Sequence, residues 1–163
     1  MRQPLVAGNW KMNGSLASVR ELLQGLKDGV GQVNNAKVVV CPPAVFIPET
    51  QAQLAGTVIG WGGQDVSTQE SGAYTGETAA SMLTDFACEY VIIGHSERRT
   101  YHGETDQTVA EKFAAARKAG LIPLFCIGET LEQREQGITE DVVARQIDAV
   151  IEHCGVAMLG EGV

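Results

Sequence analysis

Basic residues are in short supply in this chain: 12 lysines and arginines stand against 20 aspartates and glutamates, giving a formal net charge of -8 over 163 residues. A nucleic-acid binder neutralises backbone phosphates with clustered Lys and Arg, so this shortage excludes nucleic acid as the main partner. Cysteine is sparse too. Cys41, Cys88, Cys126 and Cys154 stand far apart with no C-x-x-C pair, which points away from a zinc site or a disulfide framework and towards reduced thiols in the cytoplasm. No apolar run reaches the roughly 18 residues of a membrane span, and the N-terminus enters a strand pattern with no basic region and cleavage site before it. A cytoplasmic protein without a membrane partner is expected. The glycine fingerprints of nucleotide sites, G-x-G-x-x-G and G-x-x-x-x-G-K-[ST], are also absent.

What is present is an ordinary globular composition, 44% hydrophobic and 20% charged, with no linker or composition shift that would divide residues 1–163. A single domain is expected. Short apolar strands beginning near Leu5, Val38, Val58, Tyr90 and Ile122 alternate with amphipathic helices, which predicts a parallel sheet with helical crossovers. Leu16, Val19, Leu22, Leu23, Leu26 and Val30 repeat at helical spacing behind Ser15, a suitable N-cap. Pro48 suits the first turn of a short second helix. Met82, Leu83 and Phe86 are expected to face inward from a third helix, and Val109, Phe113 and Ala116 from a fourth that stops at Gly120. Strand three is expected over Val58 to Gly62 and strand five over Ile122 to Ile127. Thr130 and Gln133 have capping-box spacing, and Val142, Val143, Ile147, Val150 and Ile151 mark a last helix ending at Gly155.

This pattern fits either an open doubly wound sheet or part of a (β/α)₈ barrel. Polar residues gather just past several strands: Asn9 and Lys11, Gln64 and Asp65, His95 and Glu97, Glu129. Barrel enzymes build their sites at that face, and the missing nucleotide fingerprints favour the barrel. The most informative stretch is Tyr90 to Arg99 (YVIIGHSERR), where a doubly buried strand delivers a histidine and three charged residues at its end. On residue type alone His95 is more often structural than catalytic, Lys11 one of many surface lysines, and Glu97 a partner for Arg98 or Arg99. An anionic small molecule would need a local positive site in this acidic chain, which singles out Lys11, Arg98 and Arg99.

Gly8-Asn9-Trp10-Lys11, Tyr90 to Arg99 and Gly72-Ala73-Tyr74-Thr75-Gly76-Glu77 together closely resemble the N-terminal part of the triosephosphate isomerase family. The resemblance implies the first five of eight βα units of a TIM barrel, and catalysis without cofactor or metal. It implies that His95 is the electrophile at the substrate carbonyl; the neutral imidazole in that role is a known property of the family rather than something these residues establish. Lys11 would bind the anionic triose phosphate and stabilise developing charge, with Asn9 and Ser96 as further substrate contacts and Glu97 as a supporting carboxylate. Cys126 would be a packing residue, and Glu129 has no catalytic part. The long third loop would enter a second subunit of a homodimer, with Gln64, Thr75, Gly76, Glu77 and Arg98 as dimer contacts.

The family's base is a glutamate after a sixth strand, its lid follows, and its phosphate grip comes from loops seven and eight. None of these is expected within the 163 residues. The chain alone is therefore expected to be inactive, with the edges of strands one and five unpaired and a tendency to associate or stay partly molten. A reading from another class is a non-catalytic fragment that retains only association through the third loop. A third, weaker one is a different sugar-phosphate isomerase on the same barrel.

Overall fold

Strand and helix alternate through the computed structural model, which describes residues 3–160, 162 and 163. Strands β1 (Leu5–Asn9), β2 (Lys37–Cys41), β3 (Ile59–Gly63), β4 (Tyr90–Ile93) and β5 (Ile122–Phe125) lie in sequence order, each parallel to the next. Helices α1 (Leu16–Val30), α2 (Ile47–Leu54), α3 (Ala80–Asp85), α4 (Ser96–His102) and α5 (Asp106–Lys118) make the crossovers. After β5 come α6 (Leu131–Glu135), α7 (Thr139–Cys154) and α8 (Val156–Leu159). The result is the expected α/β architecture, a curled half-barrel.

Alternation along each strand sorts the side chains into two layers. Val39, Cys41, Tyr90, Ile92 and Leu124 form a buried cluster on one face, with Leu5, Ile122 and Cys126 against it. On the other, Val40, Ile59, Trp61, Val91 and Ile93 pack with Leu23, Leu54, Leu83, Val109 and Phe113 of the helices. Strand β3 puts glycines on the inner face, and this allows the curl. A Cβ on Gly62 would lie 2.1 Å from the carbonyl oxygen of Tyr90, and one on Gly60 would lie 3.3 Å from the Tyr90 ring. Without side chains there, β2 and β4 close over β3.

The helix boundaries follow local chemistry. Ser15 caps α1 in a reciprocal box with Ser18, and Thr130 and Gln133 form the expected box on α6. Pro48 lies in the first turn of α2. Val109, Phe113 and Ala116 of α5 are fully buried, and Gly120 follows the helix with φ +86°.

Several expectations need correction. Strand β3 runs over Ile59–Gly63, and Val58 is 78% exposed. Strand β5 stops at Phe125, short of Ile127, which is 41% exposed. Of the three residues expected to face inward from α3 only Leu83 is buried; the helix has 6 residues, Ala80 and Leu83 anchor it, Met82 is exposed, and Phe86 is the exposed C-cap just past its end. Leu16 and Leu22 of α1 are likewise exposed, because Val19 and Leu23, with Leu26 and Val30 beside them, make the contact with the core. The two sheet edges also differ. Among the described residues β1 pairs with β2 and with no other strand, but the edge of β5 is engaged: Val163 donates to the Pro123 carbonyl (2.9 Å) and accepts from the Phe125 amide (2.8 Å). Among the described residues no helix is long and apolar enough to cross a membrane.

Candidate active site

Strand β1 ends at Asn9, and two residues later the chain makes an unusual turn: Lys11 has φ +51°. For a residue with a side chain, that left-handed geometry costs about 1–2 kcal/mol. Hydrogen bonds hold it. The Lys11 amide donates to Asn9 Oδ1 at 2.9 Å, while Gln64, just beyond β3, donates from Nε2 to the Lys11 carbonyl at 2.9 Å and to the Cys41 carbonyl at 2.8 Å. The Lys11 ammonium then reaches Glu97 Oε1 at 2.6 Å.

Strand β4 delivers the facing group. Gly94, with φ +67°, is enclosed: a Cβ there would lie 2.8 Å from Val109 Cγ1 and 3.1 Å from the Cys126 carbonyl. Only glycine fits this bend. His95 follows as the N-cap of α4, the helix that runs on to His102. Its Nδ1 accepts the Glu97 amide at 3.2 Å. An Nδ1 that accepts carries no hydrogen, so the proton of the neutral ring lies on Nε2, a tautomer assigned from this hydrogen bond. Glu97 therefore touches both neighbours, His95 through its backbone and Lys11 through its carboxylate. The hydrogen bond from Lys11 holds the Glu97 carboxyl below the usual range. The structure brings Asn9, Lys11, His95 and Glu97 to one mouth of the sheet, with Ser96 exposed on the first turn of α4.

The residues expected at a subunit contact divide. Thr75, Gly76 and Glu77 are exposed on the third loop, whose base is closed by the Ser67 amide on the Thr78 carbonyl at 2.8 Å. Gln64 instead turns its amide inward, as above. Arg98 also turns inward, to Asp65 at 2.9 Å and to Glu104. Buried Lys112 joins the same two carboxylates, each at 2.6 Å. Burial pushes the Asp65 carboxyl up, whereas Glu104, despite its burial, is held low by Lys112 and Arg98.

Sequence reasoning missed this four-residue ion cluster. One signal was available: Lys112 follows Val109 by three residues, on the buried face of α5. Arg99 was noted as a positive group and as a partner for Glu97; instead its Nε donates to the Gly94 carbonyl at 2.8 Å and its Nη1 to Asp106 at 2.6 Å, which braces the bend before His95, while Glu97 pairs with Lys11. Cys126 is half-buried with its thiol pushed up by burial, and Glu129 is tied to Arg134 at 2.7 Å. Among the described residues no group of three or more His, Cys, Asp or Glu is placed to hold a metal ion.

With this geometry in hand, comparison with known proteins is direct. The family model described as triosephosphate isomerase matches residues 4–161. The triosephosphate isomerase of Nitrosococcus oceani is 54% identical over 163 residues, all of this chain and 65% of the relative. That of Cupriavidus taiwanensis is 56% identical over 160 residues, or 98% of this chain and 64% of the relative. The Photorhabdus laumondii enzyme is 54% identical over 157 residues, 96% of this chain and 62% of the relative. The chain thus spans slightly less than two thirds of the length of these relatives. A match along almost the whole sequence, carried by relatives more than half identical to it, places this chain in the triosephosphate isomerase family.

Proposed function

We propose that this chain forms the N-terminal side of a triose-phosphate isomerase site, which interconverts dihydroxyacetone phosphate and D-glyceraldehyde 3-phosphate. The observation that supports this best is the junction at Glu97, which joins Lys11 and His95 at one mouth. The reaction moves a proton between adjacent carbons through an enediolate, so it needs stabilisation of negative charge on oxygen and a base. His95, with Nδ1 occupied, offers Nε2–H to the substrate oxygen. Lys11, about half exposed, exchanges its contact with Glu97 for the anionic substrate. Asn9 and Ser96 complete the binding surface, and Glu97 supports both neighbours. No residue here is assigned as the base: Glu97 is bonded to Lys11 and Glu129 to Arg134. The 163-residue chain alone is therefore inactive in this reading.

Residues 1–163 act as one domain in a cytoplasmic homodimer, with Thr75, Gly76 and Glu77 at the contact. The exposure of these residues supports association, and it also supports the second reading, a fragment that associates without catalysis. The deciding experiment joins this chain to the remaining third of the Nitrosococcus oceani relative and assays triose-phosphate turnover in both directions. The joined protein is expected to be active, the 163-residue chain to stay at background, and Lys11→Met to abolish turnover in the joined protein. A folded joined protein without turnover, or one indifferent to Lys11→Met, overturns the proposal.

A further inference from the structure

We infer that Gln64 is a positioning residue that holds the lysine of the proposed site in its working geometry, an inference that rests on the isomerase reading only for its effect on turnover. Lys11 occupies a backbone region its side chain disfavours. Its amide is restrained by Asn9 from the same segment, whereas its carbonyl is restrained from another strand, by Gln64. One amide nitrogen uses both of its hydrogens, one on Lys11 and the other on Cys41 at the end of β2. Gln64 thereby ties the exits of β1 and β2 to the exit of β3.

Residue type matters at this position. A glutamate carboxylate has no hydrogen to donate, and lysine or arginine would bring a charge where two neutral carbonyls need only uncharged donors. A primary amide supplies two uncharged donors from one atom, at the reach the two carbonyls require. The next residue sets where that amide stands. Asp65 is held by Lys112 at 2.6 Å and by Arg98 at 2.9 Å, so the buried ion cluster fixes the start of the third loop and, through it, Gln64. The line of support runs from α5 through Asp65 and Gln64 to Lys11, and from Lys11 to Glu97 and His95.

The test uses Gln64→Met, which keeps the length and removes both donors, and Gln64→Glu, which keeps the shape. Gln53→Met, at a glutamine bonded to Glu49 on α2, serves as the control. The first readout is the carbon-13 titration of the Glu97 carboxyl, followed in this chain and in the joined protein. Both Gln64 variants are expected to return that titration towards the ordinary glutamate value, because Lys11 no longer stays in place, while Gln53→Met leaves it alone. The second is steady-state kinetics of the joined protein, where kcat is expected to fall by roughly tenfold to a hundredfold, the scale of a misplaced catalytic group, with KM changing less.

If the Glu97 titration is unmoved in both variants, the inference is overturned whatever happens to turnover. If it moves but kcat does not, the bonds hold the backbone without serving catalysis, and the inference fails as stated. A joined protein that is inactive before any substitution overturns the isomerase reading, and the titration still decides whether Gln64 holds Lys11.

Discussion

Lys11 and Lys112 make the same contact in two settings. Each places its ammonium 2.6 Å from a glutamate oxygen, Glu97 in one case and Glu104 in the other. The side chains of the first pair are 52% and 43% exposed, and those of the second 5% each. An exposed pair is weak because water and salt compete for both charges. A buried pair has lost its water, so each member depends on the other. The difference separates an ion pair that can open for an anionic ligand from one that cannot open without damaging the fold. Lys11 is suited to recognition because its partner is replaceable. Lys112 is suited to support because its partners, Asp65 and Glu104, are not.

That contrast is most severely challenged by removing the buried cation. Lys112→Met in the joined protein is expected to lower stability by about 3–5 kcal/mol, since it leaves two carboxylates facing a site without their ammonium; a urea titration with an unchanged midpoint would contradict the assignment. The next effect is a pH dependence. Lys112 and Arg98 hold the Glu104 carboxyl below its ordinary value of 4.5. A lowered folded-state pKa contributes stability above the unfolded value, and that contribution is lost as pH falls through the folded one. Glu104→Gln is therefore expected to be less stable than the parent at pH 7, and the gap to close as the pH drops below about 4.5; unfolding curves at several pH values will check it. A gap that widened in acid would reverse the sign and exclude this account. The smallest effect belongs to Lys11. Lys11→Met is expected to change stability by no more than about 1 kcal/mol in a urea titration, whereas under the proposed function it is expected to abolish turnover of the joined protein, so activity and stability should part company at this residue alone of the two lysines.

How much of this was legible in the sequence depended on whether a local rule governed it. The cap at Ser15, the box at Thr130 and Gln133, the stop at Gly120 and the buried stripe Val109, Phe113 and Ala116 were all readable, because each depends on neighbours a few positions away. Helix α3 defeated the same logic: Met82, Leu83 and Phe86 span too few turns to define a face. Asn9, Lys11, His95 and Glu97 were found through their family context, and the structure places them at one mouth; what they do there stands as a proposal. The cluster of Asp65, Arg98, Glu104 and Lys112 was not found, because charged residues ordinarily indicate solvent and the pairing of Asp65 with Lys112 crosses 47 positions. The pair of hydrogen bonds donated by Gln64 was equally hidden. It depends on how the ends of β1, β2 and β3 line up in space, which no spacing in the chain encodes.

The two hydrogen bonds of Val163 determine a register. A residue that donates to the Pro123 carbonyl and accepts from the Phe125 amide is paired in parallel with Leu124, whose side chain belongs to the inner cluster. The side chain of Val163 is thereby assigned to the inner face of the sheet, where it is 59% exposed. Because strand side chains alternate strictly, that one pairing dictates inside and outside for every residue of a strand laid along this edge, and a slip of a single position would turn such a strand inside out.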